Sequence, residues 1–338
     1  MTLINRRFVL ASRPTGAPRE DNFRLETVPV PELTAGQVLV RNQFLSLDPY
    51  MRARMDAVKS YAAYLEIGDV MIGQSVARVA VSRHPQFRVG DTVLAWSGWR
   101  TLCLSNGENV RKLDPGLVPV TSWLGILGIA GMAAYVGLRE IGRPAPGETV
   151  VVAAASGGVG SLVGQLARRA GARAIGIAGG REKCSYIKEA FGFAEAVDHR
   201  VPDLEKRLAA ACPKGIDVYF ENVGGAVFTA VWPLLNQNAR IPVCGLVGQF
   251  GRPVPPGPDR LPGAMRQVLS KSLTIRGLLM KNYPELRGEF EKEIVGGLRD
   301  GTIHQREDIT DGFDETVRAF MRMLDGRSFG KSVVRVAI

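Results

Sequence analysis

The stretch Thr149 to Ala170, TVVVAAASGGVGSLVGQLARRA, sets a strand, a glycine-rich turn and a helix in direct succession, which narrows what the chain can fold into. The apolar run Val150, Val151, Val152 and Ala153 predicts a buried strand. It leads into Ser156-Gly157-Gly158-Val159-Gly160, where missing side chains let backbone N–H groups and a helix N-terminus approach two phosphates. Ala155, Gly157 and Gly160 take the three positions of the G-x-G-x-x-G pattern, with alanine in the first. A tight turn with no ligand produces the same pattern, so its surroundings decide.

Those surroundings predict a βαβ unit. Leu162, Val163, Leu166 and Ala167 recur at helical spacing over 161–170, and Gly171 closes that helix before a strand from Arg173 to Ala178. In such units the end of the second strand meets the adenosine ribose, where an acid selects NAD and basic residues accommodate the extra phosphate of NADP. Here the segment is Gly179-Gly180-Arg181-Glu182-Lys183. Arg181 and Lys183 favour NADP(H); Glu182 points the other way, and both cations also read as solvated helix-start residues.

A chain of 338 residues is long enough for two domains with buried cores. Cys103, Cys184, Cys212 and Cys244 are scattered, as are His84, His199 and His304, so neither a disulfide framework nor a metal cage is expected. The net charge of +10 would attract nucleic acid or an acidic membrane at low salt. Its basic residues are spread along the chain rather than clustered with aromatics, so neither partner is expected. No apolar run approaches the ~20 residues of a membrane span, and the opening MTLINRRFVLASRP lacks the apolar core of a signal peptide, which predicts a cytoplasmic protein.

From residue 1 to about 120 the chain shows short alternating segments, Gln37 to Asn42, Ser75 to Val81 and Thr92 to Trp96, punctuated by turn residues: a β-rich domain. Between Leu117 and Gly137 the residues become small and apolar, at spacings that permit a closely packed helix. Beyond the first βαβ unit the alternation continues: strand Ala196 to Asp198, helix Leu204 to Ala211, strand Ile216 to Glu221, helix Ala226 to Leu235, strand Arg240 to Gly245 and strand Leu273 to Leu279. This predicts a parallel sheet covered on both faces. The run Phe250 to Pro262 is too rich in proline and glycine to be regular, and a surface loop is expected. Helices at 284–299 and Phe313 to Leu324 and a strand at Ser332 to Val336 then return the chain to the first domain. The expected fold is therefore α/β: a Rossmann-type doubly wound domain over 121–299 beside a β-rich domain built from 1–120 and 300–338.

Together, LSLDPYMRARM (Leu45 to Met55), GDVMIGQSVARV, VLAWSGW, GIAGMAAYVG, AASGGVGS and DVYFENVGG (Asp217 to Gly225) resemble the zinc-independent medium-chain dehydrogenase/reductases. The resemblance is to the leukotriene B4 dehydrogenase/prostaglandin reductase branch, with its NADPH-dependent alkenal and curcumin reductases. It implies a GroES-like catalytic domain and a homodimer. It also implies that Ser156, Gly157, Gly158, Val159 and Gly160 hold the pyrophosphate, that Lys183, with Arg181, meets the 2′-phosphate, and that Asn222 contacts the cofactor. Cys244, Gly245, Val247 and Phe250 match the stretch along the nicotinamide, and Leu278, Leu279 and Met280 the strand end at the carboxamide. For each of these residues the alternative is a purely structural role. His199 stands where the family usually places a tyrosine near the adenosine, Phe250 where another lies near the nicotinamide ribose, and Ser328 where an asparagine precedes the x-G-K turn. Ala130 and Ala133 replace a frequent proline and threonine.

The implied reaction is metal-free hydride addition to a carbon–carbon double bond conjugated to a carbonyl, with quinone reduction as the alternative and a non-enzymatic NADPH- or nucleic-acid-binding protein as the remaining one. Such an addition needs a positioned nicotinamide and a hydrogen-bond donor toward the developing enolate oxygen. Tyr50, in DPYM, is the expected donor, the alternative being a packed aromatic with a satisfied hydroxyl, and Trp99, Met132 and Phe250 read equally as further walls of the substrate pocket or as core residues.

Overall fold

Buried β-branched residues and short turns dominate the first third of the computed structural model, which describes residues 3–250 and 259–336. Strand β1 (Ile4–Leu10) pairs antiparallel with β2 (Phe23–Pro29). A second sheet contains β3 (Val38–Ser46), β4 (Ser75–Ser82), β5 (Thr92–Ala95), β6 (Leu102–Ser105) and β7 (Val110–Lys112). Between β3 and β4 the DPYM segment forms the single-turn helix α1 (Tyr50–Ala53).

Helix α2 (Ile129–Val136) is followed by β8 (Thr149–Ala153), α3 (Gly160–Arg169), β9 (Arg173–Ala178), α4 (Arg181–Phe191), β10 (Glu195–Asp198), α5 (Leu204–Ala211), β11 (Ile216–Phe220), α6 (Gly225–Val231), β12 (Leu235–Val243), α7 (Leu261–Lys271), β13 (Thr274–Gly277) and α8 (Arg287–Arg299). The six strands form one parallel sheet in the order β10-β9-β8-β11-β12-β13, the 3-2-1-4-5-6 order of a dinucleotide-binding sheet. Val151, Ile175, Ile177, Tyr219 and Ile241 on one face pack with Leu208, Val227, Val231 and Val268 from α5, α6 and α7. The opposite face meets other helices so closely that a Cβ on Gly137 would lie 2.7 Å from the Phe220 ring. The sheet is thus doubly wound, as expected.

The chain then adds β14 (Glu307–Asp311), α9 (Thr316–Leu324) and β15 (Lys331–Arg335) to the second sheet, with β14 parallel to β15 and β15 antiparallel to β3. Val317 and Phe320 of α9 join Phe8, Phe23, Met51 and Trp99 in one core. The chain divides into two units: one runs to Gly125 and resumes at Glu307, the other is Ile126–Arg306.

Several boundaries differ from the sequence reading, most clearly around β12. The helix expected to reach Leu235 ends at Val231, because Pro233 lacks a donor N–H and the chain passes through a short 3-10 turn into β12 at Leu235. Strand β12 ends at Val243 rather than Gly245, because the Cys244 and Gly245 N–H groups turn back to the Glu221 carbonyl. Of the expected loop at 250–262, residues 251–258 lie outside the described residues, and α7 already begins at Leu261. Among the described residues no helix is long and apolar enough to cross a membrane.

A Cβ on Gly164 of α3 would lie 1.9 Å from the Phe193 ring, so that position admits no side chain without displacement. Gly164→Ala is expected to cost about 1–3 kcal/mol of overpacking, read as a lower thermal midpoint; an unchanged midpoint would show that Phe193 yields freely.

Candidate functional site

Parallel strands leave their carboxyl ends on one edge of the sheet, and the order reverses between β9-β8 and β8-β11, where such folds bind ligands. At that switch point the Asn222 side chain, just beyond β11, donates to the Ala153 carbonyl at the end of β8, 2.8 Å away. Beside it the glycine-rich turn begins with Ala154 in the left-handed region (φ 51°). The Gly157 N–H donates back to the Ala154 carbonyl at 2.9 Å, and α3 starts at Gly160. A Cβ on Gly160 would lie 2.5 Å from the Ala154 oxygen and 2.8 Å from the Ala155 Cα, so only glycine lets helix and strand approach this closely. Ser156 is buried within the turn and Ser161 in the first turn of α3. The arrangement aims the positive end of α3 at the space beyond β8, a cradle suited to a phosphate diester.

A second feature lies at the ends of β9 and β10. Gly180, at φ 95°, caps α4, and its N–H and that of Arg200 both donate to one Asp198 carboxylate oxygen, each at 2.9 Å. Burial raises the Asp198 carboxyl, but the two N–H donors and the adjacent His199 and Arg200 outweigh it and hold it below the usual range. A Cβ on Gly179 would lie 2.7 Å from Arg200 Nε and 2.9 Å from His199 Nε2, so that glycine makes room for both side chains. Burial lowers the His199 pKa, and Arg200 and Lys183 lower it further. Lys183, His199 and Arg200 therefore share one electrostatic neighbourhood, which suits a phosphate monoester.

The end of β11 is clamped. One Glu221 carboxylate oxygen accepts from the Val223 N–H at 2.5 Å and the Gly224 N–H at 2.8 Å, and the Asn222 and Val223 carbonyls accept from Val247 (3.2 Å) and Gly248 (2.9 Å). Burial raises the Glu221 carboxyl despite these donors. Burial, then Glu221, pushes the Cys244 thiol up to about 12, so it is neutral and not a nucleophile at pH 7. Leu278 is buried beyond β13 with its N–H on the Val243 carbonyl at 3.0 Å; Leu279 and Met280 follow at the start of a 3-10 turn. The half-buried Phe250 follows the 3-10 turn Val247–Gln249.

Tyr50 and Trp99 lie in the other unit. The Tyr50 hydroxyl is buried and has no hydrogen-bond partner among the described residues. Burial, followed by the Asp48 carboxylate, holds its pKa far above the ordinary phenol value. Trp99, expected as a pocket wall, is instead a core residue: it is fully buried, stacked on Phe23 at 5.7 Å and edge-on to Phe320 at 5.2 Å. Met132 is likewise buried within α2. Ser328 lies in the turn before β15, where Phe329 donates its N–H to Asp308. Among the described residues no three His, Cys, Asp or Glu side chains gather as a metal site.

Residues 6–113 match the family model described as the N-terminal domain of oxidoreductase, and residues 158–295 the one described as zinc-binding dehydrogenase. The NADPH-dependent curcumin reductase of Escherichia coli (strain K12) is 50% identical over 98% of this chain and 97% of its own. Rat prostaglandin reductase 1 is 38% identical, over 95% of each chain. The chain belongs to the zinc-independent medium-chain dehydrogenase/reductases. Within this family the crystal structure of CurA in complex with NADPH from Vibrio vulnificus superposes with a TM-score of 0.95 at 45% identity, covering 98% of this chain and 99% of that one. Sequence reasoning for a medium-chain dehydrogenase/reductase missed Arg200 and Glu221, although both adjoin residues it named. The missed signals were an acid, a histidine and an arginine in direct succession after a strand, and an acid opening the ENVGG turn.

Proposed function

We propose that this chain is an NADPH-dependent reductase that adds hydride to the carbon–carbon double bond of α,β-unsaturated ketones and aldehydes. The cofactor assignment is supported by the glycine cradle at 156–160 and the Lys183, His199 and Arg200 cluster, and Arg181 opens the helix beside that cluster. Asn222 and the clamped turn at 221–224 fix the switch-point edge of the cofactor site, and Cys244 to Val247 with Leu278 to Met280 supply the nicotinamide side. When bound, NADPH supplies the hydride.

The observation that carries the reaction type is the Tyr50 hydroxyl, buried and without a partner among the described residues. Its raised pKa keeps the phenol protonated, so it donates a hydrogen bond to the carbonyl oxygen on which enolate charge develops. Phe250 has no hydroxyl to share that task. Water protonates the α-carbon. The setting is cytoplasmic: all four cysteines are free thiols, which suits a reducing compartment.

A homodimer is supported by the edge of the parallel sheet. Among the described residues strand β13 is terminal and exposed throughout, Ile275 included, and Leu261, Met265 and Leu269 form an exposed apolar stripe along α7. An open edge flanked by apolar surface is self-complementary under twofold symmetry.

Four outcomes test these assignments. NADPH absorbance is expected to fall with alkenals and enones faster than with quinones, and Tyr50→Phe to slow turnover roughly 10²-fold; quinone preference would reverse the substrate assignment, and an unchanged rate would remove Tyr50. His199, neutral near pH 7, becomes easier to protonate beside a 2′-phosphate. NADPH affinity should therefore rise as pH falls from about 8 to 6 while NADH affinity stays flat, and the difference should vanish in His199→Phe. A pH-independent NADPH titration would place the phosphate elsewhere. Leu269→Glu is expected to convert the dimer to monomer by light scattering; a persistent dimer would move the interface off α7.

A further inference from the structure

Asp48 and Lys331 form an ion pair that is almost wholly buried: Lys331 Nζ lies 2.6 Å from Asp48 Oδ1, and the two side chains are 6% and 9% exposed. The same ammonium donates to the Leu47 carbonyl at 2.6 Å. The Leu47 N–H is also taken, by the Ser332 carbonyl at 3.1 Å, so both backbone groups of Leu47 are fixed to β15. The second Asp48 oxygen accepts from the Ser46 hydroxyl, and the Asp48 carbonyl accepts from the Met51 N–H at 3.1 Å, closing the first turn of α1. Only Pro49 separates this anchored residue from Tyr50, and its ring holds φ at −59°. The Lys331 stem is confined too: a Cβ on Gly125 would lie 3.1 Å from its Cγ. Directly opposite Lys331 on β14 stands Glu307, held by the Thr121 hydroxyl at 2.8 Å.

A buried ion pair is a poor means of adding stability, because desolvation offsets the attraction and an apolar pair of similar volume serves as well or better. What it provides here is position. We infer that the Asp48–Lys331 pair sets the place of the Tyr50 phenol, so that Lys331 is a positioning residue for the reaction although it belongs to the opposite end of the chain. The inference rests on the reading of Tyr50 as the hydrogen-bond donor. Lys331 touches neither the hydroxyl nor the substrate in this account; it acts through Leu47, Asp48 and the rigid Pro49. The Asp48 carboxylate adds an electrostatic contribution, since its charge opposes ionisation of the phenol after burial has already done so.

A double-mutant cycle separates this role from a merely structural one. Asp48→Asn/Lys331→Met removes both charges at nearly constant shape and leaves no unpaired ion. In the Tyr50 background it is expected to lower kcat about tenfold, as a displacement of about an ångström does, with the NADPH Kd unchanged. In the Tyr50→Phe background the same change is expected to lower kcat less than about twofold, because the group being positioned is gone. Equal losses in the two backgrounds, or no loss in the first, would overturn the inference while leaving the donor reading intact. A Tyr50→Phe rate equal to wild type would instead overturn the donor reading, and the inference with it. If the double variant fails to fold, Lys331→Arg keeps the charge but cannot place it on both the Leu47 and Asp48 oxygens as the compact ammonium does. Run through the same cycle, it is expected to show the same background-dependent loss of kcat with KM held, and equal losses would overturn the inference.

Discussion

Everything at the carboxyl edge of the parallel sheet depends on how closely α3 approaches the end of β8. With only 2.5 Å between a Gly160 Cβ and the Ala154 oxygen, any side chain would lift the helix away from the strand and withdraw its N-terminus from the space ahead of the sheet. The close contact fixes the turn at 154–159, the turn brings Ala153 within reach of Asn222, and Asn222 ties β8 to β11 across the switch point. From there Glu221 passes the constraint to 244–248 through main-chain hydrogen bonds. A single missing methyl group thus organises three strand ends.

The basic cluster is organised differently. It is positioned by an acid, Asp198, which accepts the N–H groups of Gly180 and Arg200 with one oxygen and so locks the β9 and β10 ends together. Arg200 and His199 crowd over Gly179, and burial, with Arg200 and Lys183 adding to it, lowers the His199 pKa.

The elements legible in the sequence were those whose periodicity or punctuation is local. The range of α5 was read off directly, β9 likewise, and β8 and α3 to within a residue, because apolar runs and glycines mark their ends. Helix α4 gives only its start to the sequence reading, at Arg181 to Lys183, since its outward face is charged and only Ile187 and Phe191 are buried; their i, i+4 spacing before Gly192 is the signal for its end. Start and end of β12 shifted because Pro233 and the Glu221 carbonyl, not hydrophobicity, decide them. Trp99 illustrates the limit for sites: an aromatic in a conspicuous motif proves to be the centre of a core assembled from Phe8, Phe23 and Phe320, which sequence cannot bring together. The partners Asp48 and Lys331 are 283 positions apart, and nothing local to either announces the other.

That separation governs the order in which the molecule can be made. Emerging from a ribosome, the continuous segment Ile126–Arg306 has all six of its strands available and can close its sheet at once. The strands that precede it must wait for β14 and β15, which are synthesised last. Throughout that interval Asp48 has no ammonium to face and β3 has an open edge, which leaves the early chain exposed to chaperones and to wrong pairings. The region around Tyr50 is thus the first part of the site to be translated and the last to be finished.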